Sequence, residues 1–402
     1  MRRAGTNLSV SIAFAFVLTC VCSLDVQTQV TGDAFRKRLV EKALFLPSEQ
    51  KELDEGQIVV KALPTKNKQI VSVLGVIRLK DISAVSMDDF RASLAQRRNK
   101  TMTGGGKFSE PPAADDLKDL ELKDKDFKVL KKCSVGDCDM NMSAEMIRKF
   151  TIDVNWNADD HKERATALFR EMLLGYVNGY TANGDVNLGN YANRKETVDL
   201  AAAHKSLLTN SLFLDDLSPE VYGYLAGFPA KQLGGMSSEM HWSTIDFGLK
   251  PAITLTHSVA FDGSQNGVLR FIVANKQIYA SRYLDASLSF TILMGTGANE
   301  PGGYLIFADR SQSDALDGLL SGVARSVVEK EAVEKVRDVL QNAEIRLIAG
   351  NKQSEPDAGT PDGPSIGNQI VEWFRQPIGI IVLLALAGIA IFSLSRVKRN
   401  RR

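Results

Sequence analysis

The chain has 402 residues, of which 44% are hydrophobic and 24% are charged. This composition is typical of a globular protein that is long enough to bury an ample core. The 49 lysines and arginines nearly balance the 48 aspartates and glutamates, and five of the basic residues lie in the last seven positions. The rest of the chain is therefore slightly acidic, which argues against a protein that binds nucleic acid or another polyanion.

The N-terminus has the features of a secretory signal peptide. Arg2 and Arg3 precede a mainly apolar run over residues 8–21, and small residues follow at a suitable cleavage position. We therefore expect residues 1–23 to be removed during export. An uncleaved N-terminal membrane span is the alternative, although the apolar run is short for one.

The C-terminus has the features of a membrane anchor. Residues 377–395 carry no charge, and a basic tail follows at 396–402. A helix rises about 1.5 Å per residue, so this segment reaches roughly 28 Å, which matches the hydrocarbon thickness of a bilayer. The positive-inside rule places the tail in the cytoplasm and the preceding chain outside. We expect a single-pass protein of the cell membrane whose anchor contacts the lipid bilayer through Pro377 to Ser395; a processed bacterial sorting signal is the alternative.

Between the exported part and the anchor, residues 350–368 are rich in Gly, Pro, Ser and Asp and show no apolar periodicity. This composition predicts a disordered stalk. For about twenty such residues the root-mean-square reach is on the order of 25 Å. The stalk would therefore hold a folded ectodomain close to the membrane surface.

Two cysteines, Cys133 and Cys138, remain after removal of the signal peptide. Thiols oxidise outside the cytoplasm, so we expect a disulfide between them. In the chain-entropy model such a short loop stabilises the fold by about 2 kcal/mol. Two free thiols or half of a metal site are the alternatives, but two cysteines without a nearby histidine do not complete a zinc ligand set. We expect neither a metal nor a cofactor.

Residues 24–98 are predicted to form an N-terminal α+β part. Apolar periodicity and turn residues give its elements: a helix over 33–46 that Pro47 ends, strands over 57–63 and 69–79, and a short helix over 87–95. From 99 to 126 the chain is polar and contains three consecutive glycines and two consecutive prolines. This segment is predicted to be a domain boundary or a long surface loop.

Residues 127–349 are predicted to form the main α+β part. Its first half is helical, and the helices are placed by apolar spacing and capping residues over 165–177, over 198–208 and from Ser218 onward. Its second half changes to a period of two, which predicts an antiparallel meander of four strands at 251–261, 268–280, 284–294 and 304–309.

A long helix over 313–347, with Ser311 in its predicted cap, follows the meander. Strands followed by a helix indicate an α+β fold in which the helix covers one face of the sheet. At the level of layout this is similar to helix-grip folds, which hold apolar ligands between such a helix and a curved sheet, although the helical middle does not fit them.

One histidine lies on the apolar side of a predicted strand. Alternation places His257 beside valine and phenylalanine, where a histidine is usually a core residue bonded to a neighbour. The functional interpretation pairs it with Asp285, Tyr283 and Ser287 for acid–base catalysis. Arg310, which ends a strand and precedes a predicted helix N-terminus, is a candidate for binding an anion, although a surface ion pair is the more ordinary role.

The HExxH and CxxCH motifs of well-known enzyme classes are missing from the sequence, and its four histidines are scattered. We therefore expect a non-enzymatic protein whose exported domain binds a partner protein or an apolar small molecule. The alternative is a membrane-anchored, hydrolase-like enzyme that uses His257 with a nearby carboxylate.

Overall fold

The computed structural model describes residues 32–94, 102–245, 250–264, 268–298, 300–313, 316 and 321–352. The predicted signal peptide, membrane span and basic tail lie outside these residues, as does the predicted stalk apart from residues 350–352, which continue the last helix. None of the helices in the described ranges combines the length and the apolar character that a membrane span requires.

The described part has an α+β fold, as predicted, and is built around a large antiparallel sheet. Its strands are β1 (Val59–Ala62), β2 (Ile70–Leu79), β3 (Met102–Lys107), β4 (Asn190–Tyr191), β5 (Val198–Asp199), β6 (Met236–Ile245), β7 (Ala252–Asp262), β8 (Arg270–Ala280), β9 (Ala286–Gly295) and β10 (Gly303–Gln312). Its α-helices are α1 (Gly32–Ala43), α2 (Pro47–Asp54), α3 (Met87–Leu94), α4 (Asp124–Leu130), α5 (Ala144–Asp153), α6 (His161–Asn183), α7 (Leu200–Thr209), α8 (Leu214–Leu217), α9 (Pro219–Ala226) and α10 (Ser321–Lys352).

Eight strands form the large sheet in the order β1-β2-β10-β9-β8-β7-β6-β3, and each neighbouring pair is antiparallel. The predicted meander is confirmed, because β7, β8, β9 and β10 are adjacent in chain order. Strand β2 pairs with β10 along its whole length, from Ile70 opposite Gln312 to Leu79 opposite Gly303. The predicted N-terminal and main parts therefore contribute strands to the same sheet.

Strands β3 and β6 were not predicted. Strand β3 lies within 99–126, so this segment is not simply a loop, and it pairs with β6 at the edge of the sheet. Three consecutive glycines made β3 look like a turn in the sequence. For one of them, packing explains why glycine stands at that position. A Cβ on Gly106 would lie 2.6 Å from the indole Nε1 of Trp242. Glycine at this position lets the edge strand lie directly against the tryptophan.

Two predicted boundaries differ from the structure. Helix α1 ends at Ala43, and Pro47 begins α2 instead of ending α1, because proline suits the first turn of a helix. The described part of α10 begins at Ser321, and most of the residues between the predicted start at 313 and Ser321 lie outside the described residues. Ser311, predicted to cap that helix, lies in β10, where the ladder to β9 continues to Gln312.

Helices cover both faces of the sheet. Helix α10 packs on β1 and β2, where Val336 and Leu340 approach so closely that a Cβ on Gly75 would lie 2.6 Å from each. Helix α3 covers the same face further along, with the rings of Phe90 and Phe271 6.0 Å apart. Helices α1 and α6 to α9 pack on the other face. The long helix therefore covers one side of the sheet and packs tightly there, whereas β7, β8 and β9 lie beyond it.

The arrangement is compatible with the predicted disulfide. The Cα atoms of Cys133 and Cys138 lie 4.6 Å apart, a separation that a disulfide can span. The loop between them is tied to the neighbouring segment by two backbone hydrogen bonds, from Gly136 to Ala192 and from Cys138 to Asn193. This loop therefore fixes the path of the chain at one end of the sheet.

Candidate functional site: a buried polar face of the sheet

His257 is fully buried in β7. Its Nδ1 atom lies 2.8 Å from the Tyr180 hydroxyl, and its Nε2 atom lies 2.7 Å from the Ser238 hydroxyl. The ring centroid is 4.4 Å from that of Phe228. Burial, together with the nearby charge of Lys276, lowers the pKa of His257 to about 3, so the imidazole is neutral at physiological pH. Both ring nitrogens already have partners, which is the environment of a core histidine.

Tyr283 and Asp285, the predicted companions of His257, lie in the loop between β8 and β9. The Asp285 Oδ1 atom is 3.1 Å from the guanidinium of Arg194. The Tyr283 hydroxyl donates to the carbonyl oxygen of Lys250 at 3.0 Å. These contacts fix the loop against neighbouring segments.

The register of the sheet separates His257 from Ser287. His257 pairs with Lys276, which in turn pairs with Leu288, so these three residues share one face. Ser287 pairs with Gln277 on the opposite face, because successive residues of a strand point to opposite sides. The structure therefore does not bring His257 together with Ser287.

Arg310 is an inner residue of β10, and its guanidinium donates to the Ser72 hydroxyl of β2 at 3.3 Å. The helix start predicted after it falls largely on residues 314–320, most of which lie outside the described residues. Burial lowers the pKa of Arg310, and the neighbouring Asp309 carboxyl opposes this effect. An anion-binding role for Arg310 stays a prediction.

On the face opposite His257, two neighbouring rows of paired residues are polar on every strand they cross. We call them, with the adjoining Thr254 and Thr291, the polar face. The first row crosses six strands through Ser311, Ser287, Gln277, Thr256, His241 and Lys107. The second row crosses five strands through Asp309, Ser289, Asn275, Ser258 and Glu239. Lys107 and Glu239 are partly exposed, and the rest are buried.

Several polar atoms at the centre of the polar face have no hydrogen-bond partner within the described part of the chain. They belong to Thr254, Thr256, Gln277, Ser289 and Thr291. In Gln277 both the amide nitrogen and the amide oxygen lack a hydrogen-bond partner. A buried polar group without a partner costs about 1–3 kcal/mol. Five such side chains together would approach the entire net stability of a typical domain, about 5–15 kcal/mol. Buried groups of this kind usually find a partner in ordered water or in a ligand.

The end of the polar face nearest α10 carries a buried carboxyl group. Asp309 is 1% exposed, and its Oδ2 atom accepts a hydrogen bond from the Ser311 hydroxyl at 2.9 Å. Burial raises the pKa of Asp309 to about 7, even though the hydroxyls of Ser311 and Ser287 favour the charged form. At neutral pH this carboxyl therefore exists in both protonation states.

At the far end of the polar face, a lysine and a histidine lie beside a glutamate. The Lys107 ammonium lies 2.8 Å from Glu239, and the Nε2 atom of His241 lies 3.4 Å from the same carboxylate. Burial alone would raise the pKa of Glu239, but His241 and Lys107 outweigh it and hold the pKa below its ordinary value. The centre of the polar face is thus neutral, and its two ends carry groups that can be charged.

The polar face was missed in the sequence although its pattern is visible there. Thr254, Thr256 and Ser258 alternate with apolar residues, and β9 repeats the pattern with Ser287, Ser289 and Thr291. Such alternation usually indicates a face in water, whereas both faces of these strands are buried. The signal that could have found the site is the alternation that β7 and β9 share. In β8 and β10 the polar residues are consecutive, over 275–277 and 309–312, and do not show which face they occupy.

Comparison of the chain with models of protein families, with curated proteins and with solved structures found no match.

Proposed function

We propose that the protein is a membrane-anchored binding protein whose exported ectodomain takes up a small, neutral, polyhydroxy molecule on the polar face. The observation that carries this proposal is the set of buried, unpartnered polar atoms at the centre of the face, in Thr256, Gln277 and Ser289 among others. A ligand that donates and accepts hydrogen bonds would satisfy them and remove their desolvation cost.

The chemistry of the face favours a ligand with hydroxyl groups. Hydroxyl and amide side chains both donate and accept hydrogen bonds, as the hydroxyls of a sugar do. The unpartnered groups lie on three neighbouring strands, β7, β8 and β9. These strands span about 10 Å at the usual spacing of 4.7–4.9 Å. A mono- or disaccharide has the matching size and pattern.

An apolar ligand has less support. Under α10 the sheet face is apolar, but Val336 and Leu340 already fill the space above Gly75. The part of that face beyond the helix is lined by the polar rows. Placing an apolar molecule there would leave the same polar groups unsatisfied, at the cost of about 1–3 kcal/mol each. The proposed ligand is therefore polar rather than apolar.

A binding role accounts for the geometry better than catalysis by His257. The imidazole is neutral, and each of its nitrogens has a partner, the Tyr180 hydroxyl or the Ser238 hydroxyl. A general base must reach the proton that it removes, directly or through one water. Both nitrogens of His257 are already engaged, whereas several polar atoms of the polar face have no partner among the described residues.

The binding proposal is tested by thermal unfolding of the full chain with glucose, trehalose or palmitate. We expect a sugar to raise the melting temperature and palmitate to leave it unchanged. Thr256→Val and Gln277→Leu replace unpartnered groups with apolar ones, so both should abolish the sugar-induced shift while keeping or raising the stability of the unliganded protein. Thr209→Val makes the same chemical change at an exposed position at the end of α7 and serves as the control. A shift with palmitate alone, or with no compound, would refute the proposal.

The proposed anchoring rests on the uncharged segment 377–395 and the basic tail that follows it. Protease added outside intact cells should degrade the ectodomain and spare an epitope tag placed after Arg402. Deleting residues 377–402 should release the protein from the membrane fraction. An unchanged membrane fraction after the deletion, or a tag that is degraded from outside, would contradict the proposed topology.

A further inference from the structure

The surface between α5 and α6 contains a groove of about 630 Å³ that is separate from the polar face. Its floor is formed by three tyrosines, Tyr176, Tyr191 and Tyr279, and Met146 and Met172 stand at its sides. We refer to it as the tyrosine groove. A volume of this size is in the range of small-molecule sites, about 300–1,000 Å³.

The three tyrosine hydroxyls are engaged inside the protein. Those of Tyr176 and Tyr279 donate to the carbonyl oxygens of Ile278 and Asn141, at 2.8 and 3.0 Å, and that of Tyr191 accepts from a backbone amide of β8 at 3.0 Å. Burial raises the pKa of all three hydroxyls, so they stay neutral. Tyr191 and Tyr279 are buried and Tyr176 is partly exposed, so the aromatic surface that a ligand in the groove can reach is mainly the ring of Tyr176.

The ring of Tyr279 lies next to the rings of the other two tyrosines, at a different angle to each. The centroid of Tyr279 lies 5.8 Å from that of Tyr176 and 6.0 Å from that of Tyr191, with interplanar angles of 60° and 79°. An organic cation is attracted to an aromatic face within about 6 Å of its centroid. The polarisable thioethers of the two methionines suit the same kind of bulky, weakly hydrated group.

The rim adds a charge preference. Glu145 and Glu171 are exposed at the mouth, and across the described residues neither carboxylate takes part in an ion pair. Lys149 is the one basic residue among those lining the groove, so the lining has a net negative charge. Two glycines keep the mouth open, since a Cβ on Gly175 or Gly189 would meet no atom within 4 Å.

We propose that the tyrosine groove binds an organic cation of the quaternary ammonium class, with the cationic group against the ring of Tyr176 and the rim carboxylates compensating its charge. Such a group occurs both free, as in choline, and on a lipid headgroup. This site is independent of the polar face, so either proposal can fail without the other.

The charge preference is tested by calorimetric titration of the full chain with choline and with 3,3-dimethylbutan-1-ol, which has nearly the same shape and no charge. Cation–π attraction predicts that choline binds roughly three- to thirty-fold more tightly. Glycerophosphocholine distinguishes the sources: binding at least as tight as that of choline indicates a headgroup, and weaker binding indicates the free cation. Equal affinity for choline and its neutral analogue, or binding of none of the three compounds, overturns the proposal.

Variants test whether binding depends on the ring of Tyr176 or on its hydroxyl, and whether it depends on charge at the rim or on charge elsewhere on the surface. Tyr176→Phe should keep choline affinity, whereas Tyr176→Leu should lower it roughly three- to thirty-fold. Glu171→Gln should weaken binding, and Glu163→Gln, at an exposed position near the start of α6, should not. Circular dichroism confirms that each variant is folded. Equal losses in both Tyr176 variants, or in both glutamate variants, would count against the site.

Discussion

The carboxyl of Asp309 should make the protein less stable as the pH rises through neutrality. Burial raises its pKa from 3.8 to about 7 in the folded state. Between these values the folded protein holds a proton that the unfolded chain has lost, so the stability from this group declines across that window. One pKa unit corresponds to 1.36 kcal/mol, so the decline is about 4 kcal/mol and is complete slightly above pH 7.

Asp309→Asn tests this reasoning because an amide keeps the size of the side chain and does not titrate. Above pH 7 the variant should be more stable than the wild type by up to about 4 kcal/mol, and this advantage should vanish near pH 4. Urea unfolding at several pH values between 4 and 8 measures the difference. Asp119→Asn, at an exposed position, is the matched control and should follow the wild-type profile.

The result that would refute the reasoning is a constant difference between Asp309→Asn and the wild type over this pH range. A gap that widens as the pH falls would refute it as well, because it would require a pKa lowered by folding. Since other carboxylates also titrate in this range, the difference between the two proteins is the quantity to compare, and not the wild-type curve alone.

Three further predictions concern the fold. His257→Gln should lower stability at pH 7 by about 1–3 kcal/mol through lost hydrogen bonds. It should also reduce the loss of stability between pH 6.5 and about 3 that follows from the lowered pKa of His257. A variant that loses as much stability in acid as the wild type would contradict this. Replacing both Cys133 and Cys138 by serine should cost about 2 kcal/mol, measured by urea unfolding, and an unchanged midpoint would show that the disulfide contributes nothing. Gly75→Val should lower stability by about 1–3 kcal/mol through crowding against Val336 of α10, so a melting temperature equal to that of the wild type would argue against the close helix packing.

Much of the sheet could be predicted because local patterns determine it. Strands β7 to β10 show a period of two with turn residues between them, and each pairs with its neighbour in the chain. Helix α6 shows its apolar stripe clearly, with Ala165, Phe169 and Leu173 buried on one side. Ser218 accepts a hydrogen bond from the Val221 amide and caps α9, as its position before proline indicated.

Long-range pairing could not be predicted. Strand β3 contains glycines that resemble a turn, and it becomes a strand only because β6 supplies its hydrogen bonds. Pro47 is equally suited to follow one helix or to begin the next, so its position alone does not decide between them. Similarly, Ser311 has the local pattern of a helix cap, but the ladder with β9 extends β10 through it.

The candidate sites show even more clearly that local sequence patterns do not reveal long-range contacts. The sequence draws attention to His257 because it lies on the apolar side of a predicted strand, but only the register shows that it faces away from Ser287. Conversely, the significance of Gln277 and Thr256 depends on burial of a face whose polar pattern is typical of exposed strands. Sequence periodicity shows which residues share a face, and packing determines whether that face meets water.

The most direct test of the binding account is a high-resolution experimental structure of the full chain after soaking with trehalose. The account predicts a sugar on the polar face, with its hydroxyls within about 3.2 Å of the Gln277 amide and the Thr256 hydroxyl. Apolar side chains packed against both groups, with no sugar on the face, would contradict it.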